Sequence, residues 1–234
     1  MKTPIKGILF DKDGTLLDYH LSWAPINVRA AELAAGGNKP LADHLLAVGG
    51  LDGETCLVRS GSVLAAGTTT QIAQAWIDAG SPFELVELTP LVDQIFREGV
   101  ATAVPVLDLS TFFRRLKARG IVIGIASSDG ELAIRMTAER FGFADVVDFI
   151  AGYDSGHGPK PEPGMLHAFA AFAQLRPAEI AVVGDNLHDM EMAQRGGAGL
   201  RVAVLTGTGR RDELEAASDL CLASIDELEQ SLFE

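Results

Sequence analysis

The pattern of apolar and polar positions divides the chain into three blocks, of which the first is a single short strand. Residues 5–10 form a compact apolar run that ends abruptly at Asp11. A brief apolar run that is bounded by turn residues is typical of a strand buried in a parallel sheet. The pattern therefore predicts one buried strand with acidic residues at its carboxyl end.

The second block, from about residue 17 to residue 104, shows helical periodicity and no convincing period-2 alternation. Capping residues and glycines divide it into four helical stretches. One is capped by Ser22 and closed by Gly36, and the others are residues 41–48, 71–79 and 83–97, the last of them interrupted at Pro90. This block is therefore predicted to be helical throughout.

In the third block, strand patterns alternate with helical ones. The predicted strands are residues 121–126, 146–151, 180–184, 201–205 and 220–222, and the predicted helices are residues 110–119, 131–141, 163–175 and 187–195. Such alternation is typical of a parallel sheet that carries helices on both faces. The first strand must join this sheet, so the helical block is predicted to be an insertion in an α/β fold.

Composition excludes several classes of protein. The chain has 234 residues, of which 47% are apolar and 22% are charged, and this argues against disorder. No apolar stretch reaches the roughly 18 residues that a membrane span requires, and residues 7–10 are too short for a secretory leader. Cys56 and Cys221 are too isolated for a disulfide framework or a zinc site, so we expect a cytoplasmic protein.

The net charge of −13 also limits the partners. A chain this acidic has no general attraction for nucleic acids or anionic membranes, and we expect neither as a partner. If the substrate is an anion, then a metal ion or a few well-placed basic side chains must supply the positive charge at the site.

Polar residues follow the predicted strands at one edge of the sheet, where open parallel sheets bind their ligands. The residues at these positions are Asp11, Asp13, Ser127, Lys160, Asp185 and Asp189. Carboxylates that converge repel one another and require a cation, and oxygen ligands favour Mg²⁺. This edge is therefore a candidate magnesium site.

Each of these residues also has an ordinary structural explanation. Asp13 with Gly14 is a common turn, and Ser127 is a good helix N-cap. Lys160 lies between prolines in what could be a solvated loop, and Asp189 could stabilise a helix N-terminus. Their joint occurrence, each after a successive strand, favours a functional site.

The same residues resemble the motifs of the haloacid dehalogenase-like hydrolases. Residues 11–16 (DKDGTL) resemble the first motif, Ser127 the second, Lys160 the third and residues 184–189 (GDNLHD) the fourth. The phosphoglycolate phosphatase-like branch is the most similar. The resemblance implies a Rossmann-like parallel-sheet core at residues 1–17 and 105–234, with an inserted all-helical cap domain at residues 18–104.

This resemblance implies a magnesium-dependent phosphatase that acts on a small phosphorylated metabolite, with phosphoglycolate as the leading substrate. Asp11 would attack phosphorus and form an aspartyl-phosphate, and Asp13 would act as the acid and then as the base. Ser127 and Lys160 would bind the phosphoryl group. The metal ligands would be Asp11, the backbone carbonyl of Asp13 and Asp185, with Asp189 orienting them or a metal-bound water.

Other activities are less compatible with the motifs. Dehalogenases of the family lack the second aspartate, and the phosphonatase branch needs a cap lysine, for which Lys39 in a predicted exposed loop is the only candidate. A phosphosugar mutase of the β-phosphoglucomutase-like branch is the enzymatic alternative, although that branch tends to carry adjacent acids in the fourth motif. A non-enzymatic regulatory or binding protein is the third alternative.

The cap is expected to close over the site and to select the substrate. An acidic leaving group such as glycolate would need a cationic or hydroxyl-bearing partner, and Arg59 and His20 are the candidate substrate-binding residues. Trp23 and Trp76 are expected in the cap core, and His188 at the mouth of the pocket. A monomer and a homodimer are both compatible with the sequence.

Overall fold

The computed structural model describes residues 4–55 and 57–233. Strand β1 spans Gly7–Phe10. The helices that follow it are α1 (Tyr19–Ala34), α2 (Lys39–Gly49), α3 (Val63–Ala66), α4 (Thr69–Asp78) and α5 (Leu85–Gly99). The remaining elements are α6 (Leu109–Ala118), β2 (Val122–Ala126), α7 (Glu131–Arg140), β3 (Phe149–Ala151), α8 (Gly164–Ala173), β4 (Ile180–Gly184), α9 (Leu187–Gly196), β5 (Leu200–Val204), α10 (Arg211–Ala217), β6 (Leu220–Leu222) and α11 (Leu228–Phe233).

The six strands form one parallel sheet in the order β3-β2-β1-β4-β5-β6. Strand β1 lies at its centre, where Gly7 pairs with Val122 on one side and with Ile180 on the other. All residues of β1 and β4 are buried, which explains their uninterrupted apolar sequence. The predicted α/β fold is confirmed.

Helices α1 to α5 pack around an apolar cluster of their own. Trp76 is fully buried in this cluster, and its indole N–H donates to the carbonyl of Leu45 at 2.9 Å. Two chain segments join this helical part to the sheet, and they pair with each other where Leu17 meets Pro105. The domain boundaries at residues 17/18 and 104/105 stay a prediction, close to this crossing point.

Two helices differ from the sequence-based expectation. Helix α1 begins at Tyr19, because Asp18 rather than Ser22 is its N-cap and accepts from Leu21 N at 2.9 Å. Ser22 is buried, and its hydroxyl accepts from Val104 N at 3.0 Å. Helix α5 runs without interruption through Pro90, since a buried face that includes Val92 stabilises it against the loss of one backbone hydrogen bond.

Two further features concern the cysteines and the lengths of the helices. Cys221 is a free thiol, and Cys56 lies outside the described residues. Within residues 4–55 and 57–233, every helix is too short or too polar to cross a bilayer.

Candidate active site

The turn after β1 brings its two aspartates to the carboxyl edge of the sheet. Asp11 continues the sheet by donating its backbone N–H to Val183 O at 2.8 Å. Gly14 has a φ of +86°, and a Cβ at this position would lie 2.5 Å from Asp185 Oδ2. Only glycine permits this close approach, so the turn and the end of β4 can share one site.

Three buried carboxylates meet at this edge. One oxygen from each of Asp11, Asp185 and Asp189 lies within 4.8 Å of the others. Asp185 Oδ2 accepts from Thr208 N at 2.9 Å, and Asp189 Oδ2 accepts from Asn186 N at 3.1 Å. The cluster contains more negative charge than its surroundings neutralise, and hard oxygen donors suit a cation such as Mg²⁺.

Lys160 provides the one positive side chain in direct contact with this cluster among the described residues. Its Nζ donates to Asp11 Oδ1 and to Asp189 Oδ1, both at 2.6 Å, and its side chain is fully buried. Burial alone would lower the pKa of the ammonium group, but the two carboxylates raise it. Lys160 therefore remains charged and holds Asp11 in place.

The carboxylates respond differently to this environment. Burial, together with neighbouring acids, raises the pKa of Asp11 to about 7, despite the opposing effect of Lys160. Burial and the charges of Asp11 and Asp189 raise the pKa of Asp185 well above its usual value. Burial would also raise the pKa of Asp189, but Lys160 and His188 lower it. The cluster is thus short of positive charge, as expected of a cation site.

The raised pKa of Asp11 predicts how the stability of the metal-free protein depends on pH. From its usual pKa of 3.8 up to about 7, the folded state keeps a proton that the unfolded chain has released. The contribution of Asp11 to stability is therefore complete below the lower value and is lost as pH rises through the higher one. Compared with Asp11→Asn, the wild type should lose up to about 1.4 kcal/mol of unfolding free energy for each pH unit between these two values.

Urea unfolding in a chelating buffer at pH 5 and pH 8 measures this difference. Asp145 carries an exposed carboxylate far from the cluster, paired with Arg114 at 3.0 Å, so Asp145→Asn is the matched control. The control should differ from the wild type by the same amount at both pH values. A wild-type advantage over Asp11→Asn that grows with pH would contradict the assignment.

Asp13 has a separate set of partners. Lys12 Nζ lies 2.6 Å from Asp13 Oδ2 and 3.0 Å from Asp129 Oδ2, and its side chain is almost completely buried. The indole N–H of Trp23, from α1, donates to Asp13 Oδ1 at 2.8 Å. Burial raises the pKa of Asp13, although Lys12 opposes this. The carboxyl group of Asp13 is therefore held by partners of its own, one of which, Trp23, comes from the cap.

A pocket above Asp11 separates the sheet edge from the helical part. It encloses about 520 Å³, including space open to solvent. Ser127, Asp13 and His188 line it from the sheet side, and Ser127 Oγ accepts from Asp129 N at 3.1 Å, so its own proton is available to a ligand. The cap side is formed by residues that include Trp23, Asn27, Leu64, Thr69, Ile72 and Phe96.

The structure brings the core-motif residues together but not the two predicted cap residues. Arg59 is exposed, and its guanidinium lies 3.5 Å from Ala47 O, outside the pocket lining. His20 stacks edge-on against Tyr19 and does not line the pocket either. Their role as substrate-binding residues stays a prediction that this arrangement does not support.

Sequence reasoning missed the side chains through which the cap contacts the site. Trp23 packs against the cap core as expected, but its indole also binds Asp13, which the sequence did not indicate. Lys12, which lies against Trp23, was noted only as part of the first motif. Trp23 and Asn27 are four residues apart with Tyr19 one turn before them, so they share one helix face. That spacing was the available signal, but periodicity alone does not reveal which face meets the substrate.

Known proteins resemble this chain in sequence and in structure. The model of a family described as haloacid dehalogenase-like hydrolase matches residues 5–197. The phosphoglycolate phosphatase of Cereibacter sphaeroides is 30% identical over 207 residues, which cover 86% of this chain and 84% of the relative. A match to IndB of Dickeya dadantii, 30% identical over 142 residues, spans 61% of that protein's length.

Solved structures support the fold. A hydrolase from Pseudomonas syringae superposes with a TM-score of 0.71 at 20% identity, covering 97% of this chain and 98% of that one. CbbY from Rhodobacter sphaeroides, solved in complex with phosphate, gives a TM-score of 0.71 at 17% identity, covering 96% of both chains.

A parallel sheet with carboxylates and a lysine at its carboxyl edge, beneath a helical insertion, defines a class of hydrolases. Because the family model matches residues 5–197, the chain belongs to the haloacid dehalogenase-like hydrolase family. The predicted resemblance to this family and to its phosphoglycolate phosphatase-like branch is confirmed.

Proposed function

We propose that this protein is a magnesium-dependent phosphatase that hydrolyses a small phosphorylated metabolite through an aspartyl-phosphate on Asp11. The observation that carries the proposal is the contact of Lys160 Nζ with Asp11 and Asp189, 2.6 Å from each, inside a cluster of three buried carboxylates. A nucleophile held in this way beside a lysine and a cation site is suited to attack on a phosphate monoester.

In the first step, a carboxylate oxygen of Asp11 forms a bond to phosphorus as the bond from phosphorus to the leaving oxygen breaks. Ser127 donates a hydrogen bond from its hydroxyl group to a phosphoryl oxygen, and Lys160 offsets negative charge at Asp11. Asp13 transfers its proton to the leaving oxygen, and its raised pKa favours the protonated form that this role requires.

In the second step, water cleaves the aspartyl-phosphate. Asp13, now ionised, takes a proton from the water as its oxygen bonds to phosphorus. The bond between phosphorus and the Asp11 oxygen breaks, which regenerates the carboxylate and releases inorganic phosphate. Splitting the reaction in this way replaces one difficult displacement with two easier ones.

The residues present are suited to hold Mg²⁺. Asp11 and Asp185 each offer a buried carboxylate, and the backbone carbonyl of Asp13 is the proposed third ligand. Both oxygens of Asp189 already accept hydrogen bonds, from Lys160 and Asn186, so its proposed role is to orient the others. Bound Mg²⁺ would reduce the repulsion between the nucleophile and the phosphoryl dianion.

Magnesium should stabilise the folded protein by binding the native carboxylate cluster. At about 100 times its dissociation constant, Mg²⁺ should raise the melting temperature by about 5–10 °C. Asp185→Asn should abolish most of this shift, because it removes one ligand, and differential scanning fluorimetry measures both. Chelation should abolish turnover in the wild type, and added Mg²⁺ should restore it.

Asp145→Asn serves again as the control and should respond to Mg²⁺ as the wild type does. A wild type whose melting temperature does not change with Mg²⁺, or an Asp185→Asn variant that responds fully, would argue against this metal site.

The name of the Cereibacter relative makes phosphoglycolate the first substrate to test. The mutase alternative is tested by incubation with a sugar 1-phosphate: isomerised product without free phosphate would reject the phosphatase. Family membership favours an enzyme over a non-catalytic binding protein. A cytoplasmic location and the choice between monomer and homodimer stay predictions from the sequence.

A further inference from the structure

The cap contributes only uncharged side chains to the pocket above Asp11. Leu64, Ile72 and Phe96 form an apolar wall, and Asn27 and Thr69 add polar groups to it. From the sheet side, the acidic residues that line the pocket are Asp11, Asp13, Asp129 and Asp185, and none of the described lining residues is a lysine or an arginine. His188 also lines it, and its Nε2 lies 3.9 Å from Asp189 Oδ1, so a proton on this imidazole would face a carboxylate that is already present.

The basic side chains of the helical part lie elsewhere. Arg29 forms an ion pair with Glu98, and Lys39 lies 3.0 Å from Asp43, in both cases on the exposed surface. Arg59 is exposed beside Ala47, and Arg97 lines a separate surface depression with Glu98. Residues 18–104 contain only these four lysines and arginines, so the helical part offers no lysine or arginine to a ligand in the pocket.

The two lysines close to the pocket are already neutralised. Lys160 contacts two carboxylates at 2.6 Å, and Lys12 lies between Asp13 and Asp129. The proposed Mg²⁺ at Asp11 and Asp185 would serve the phosphoryl group, so a second anionic group on the substrate would lose its hydration and meet Asp13 and Asp129 without gaining a cation of its own.

Asn27 indicates what the pocket does recognise. It is 2% exposed and lines the pocket, and its Nδ2 makes no hydrogen bond of regular geometry, although its side chain lies close to the Tyr19 hydroxyl. The neighbouring hydroxyl of Tyr19 donates to Leu64 O at 2.6 Å instead. A buried amide donor without a well-placed partner is destabilising, so an acceptor oxygen on a ligand would remove this cost.

We infer that the leaving group of the substrate is an uncharged alcohol. It carries a hydroxyl or carbonyl oxygen that accepts from Asn27 Nδ2, and an apolar portion that packs against Leu64, Ile72 and Phe96. A carboxylate-bearing leaving group such as glycolate is discriminated against. This inference rests on the proposed function, because it assumes that the phosphoryl group is bound at Asp11.

Two esters of equal size test the charge directly. Phosphoglycolate and its carboxamide, 2-phosphoglycolamide, have the same carbon skeleton and differ mainly in one negative charge. With Mg²⁺ present, the wild type should hydrolyse the amide with a kcat/KM at least about tenfold higher than that for the acid. p-Nitrophenyl phosphate, measured in parallel, reports whether the enzyme is a phosphatase at all.

Asn27→Leu tests the acceptor. The change removes the amide donor at nearly constant volume, so it should lower kcat/KM for 2-phosphoglycolamide about tenfold relative to kcat/KM for propyl phosphate, which has no acceptor. Thr89→Val is the matched control, because Thr89 Oγ1 is also buried without a partner but does not line the pocket. This control should leave both substrates unaffected.

The outcomes separate the inference from the proposed function. Phosphoglycolate hydrolysed as well as the amide, or better, overturns the inference and leaves the phosphatase intact. The inference is also overturned if the wild type hydrolyses p-nitrophenyl phosphate but neither phosphoglycolate nor 2-phosphoglycolamide. It is overturned as well if a folded Asn27→Leu variant loses kcat/KM equally for 2-phosphoglycolamide and propyl phosphate. If Asn27→Leu fails to fold, the comparison of acid and amide on the wild type still decides. No turnover of any ester contradicts the proposed function and the inference together.

Discussion

Asp11→Asn should abolish turnover, with a loss of about 10⁴-fold or more in kcat, because the amide oxygen is too weak a nucleophile to attack phosphorus. The variant should stay folded. It removes one of three crowded carboxylates, and Lys160 keeps Asp189 as a partner at 2.6 Å. Steady-state hydrolysis of p-nitrophenyl phosphate measures the activity, and thermal unfolding checks the fold.

Mass spectrometry adds a second readout for the same residue. After an acid quench during turnover, the wild type should carry a labile phosphate on a peptide that contains Asp11, whereas the variant should carry none. Asp145→Asn, with its exposed carboxylate, should retain full activity. Substantial turnover by pure Asp11→Asn, or a phosphate on another residue, would exclude Asp11 as the nucleophile.

Asp13→Asn should affect substrates according to their leaving groups. An alkyl alcohol leaves poorly without a proton, so kcat/KM for an alkyl phosphate should fall by about 10²- to 10⁴-fold. p-Nitrophenolate leaves readily as an anion, so kcat/KM for p-nitrophenyl phosphate should fall far less. The comparison uses kcat/KM because this parameter excludes later steps, such as hydrolysis of the aspartyl-phosphate, in which Asp13 acts again.

The surroundings of Asp13 make this variant interpretable. An asparagine can still accept the hydrogen bond that Trp23 donates at 2.8 Å, and Lys12 keeps Asp129 as a partner, so the cap contact should persist. Asp145→Asn should leave the ratio of the two substrates unchanged. An equal loss for the aryl and alkyl phosphates would remove the acid role from Asp13 and point to a purely positional one.

The core of the fold was predictable because each of its signals is local. Residues 180–184 and 220–222 were predicted as strands with the bounds that the structure has, since short apolar runs between turn residues have few alternatives in a parallel sheet. Helix starts were less predictable. At the start of α7, Glu131 N donates to Asp154 Oδ1 at 2.8 Å, 23 positions away, rather than to a capping side chain just before the helix.

The acidic cluster followed from the sequence because parallel strands end at one edge, so residues directly after β1 and β4 must approach one another whatever the loops do. The packing of the helices on the sheet decided which side chains of the insertion face that cluster. The sequence favoured Arg59 and His20, but the structure brings Trp23 and Asn27 to the pocket instead. The apolar periodicity of a helix shows which of its residues share a face. The orientation of that face in the folded protein is set by contacts between distant segments, such as the hydrogen bond that Tyr153 donates to Asp93 at 2.8 Å. The strands and the chemistry at their ends were therefore determined by the sequence alone, whereas the strand order and the pocket wall were decided by tertiary packing.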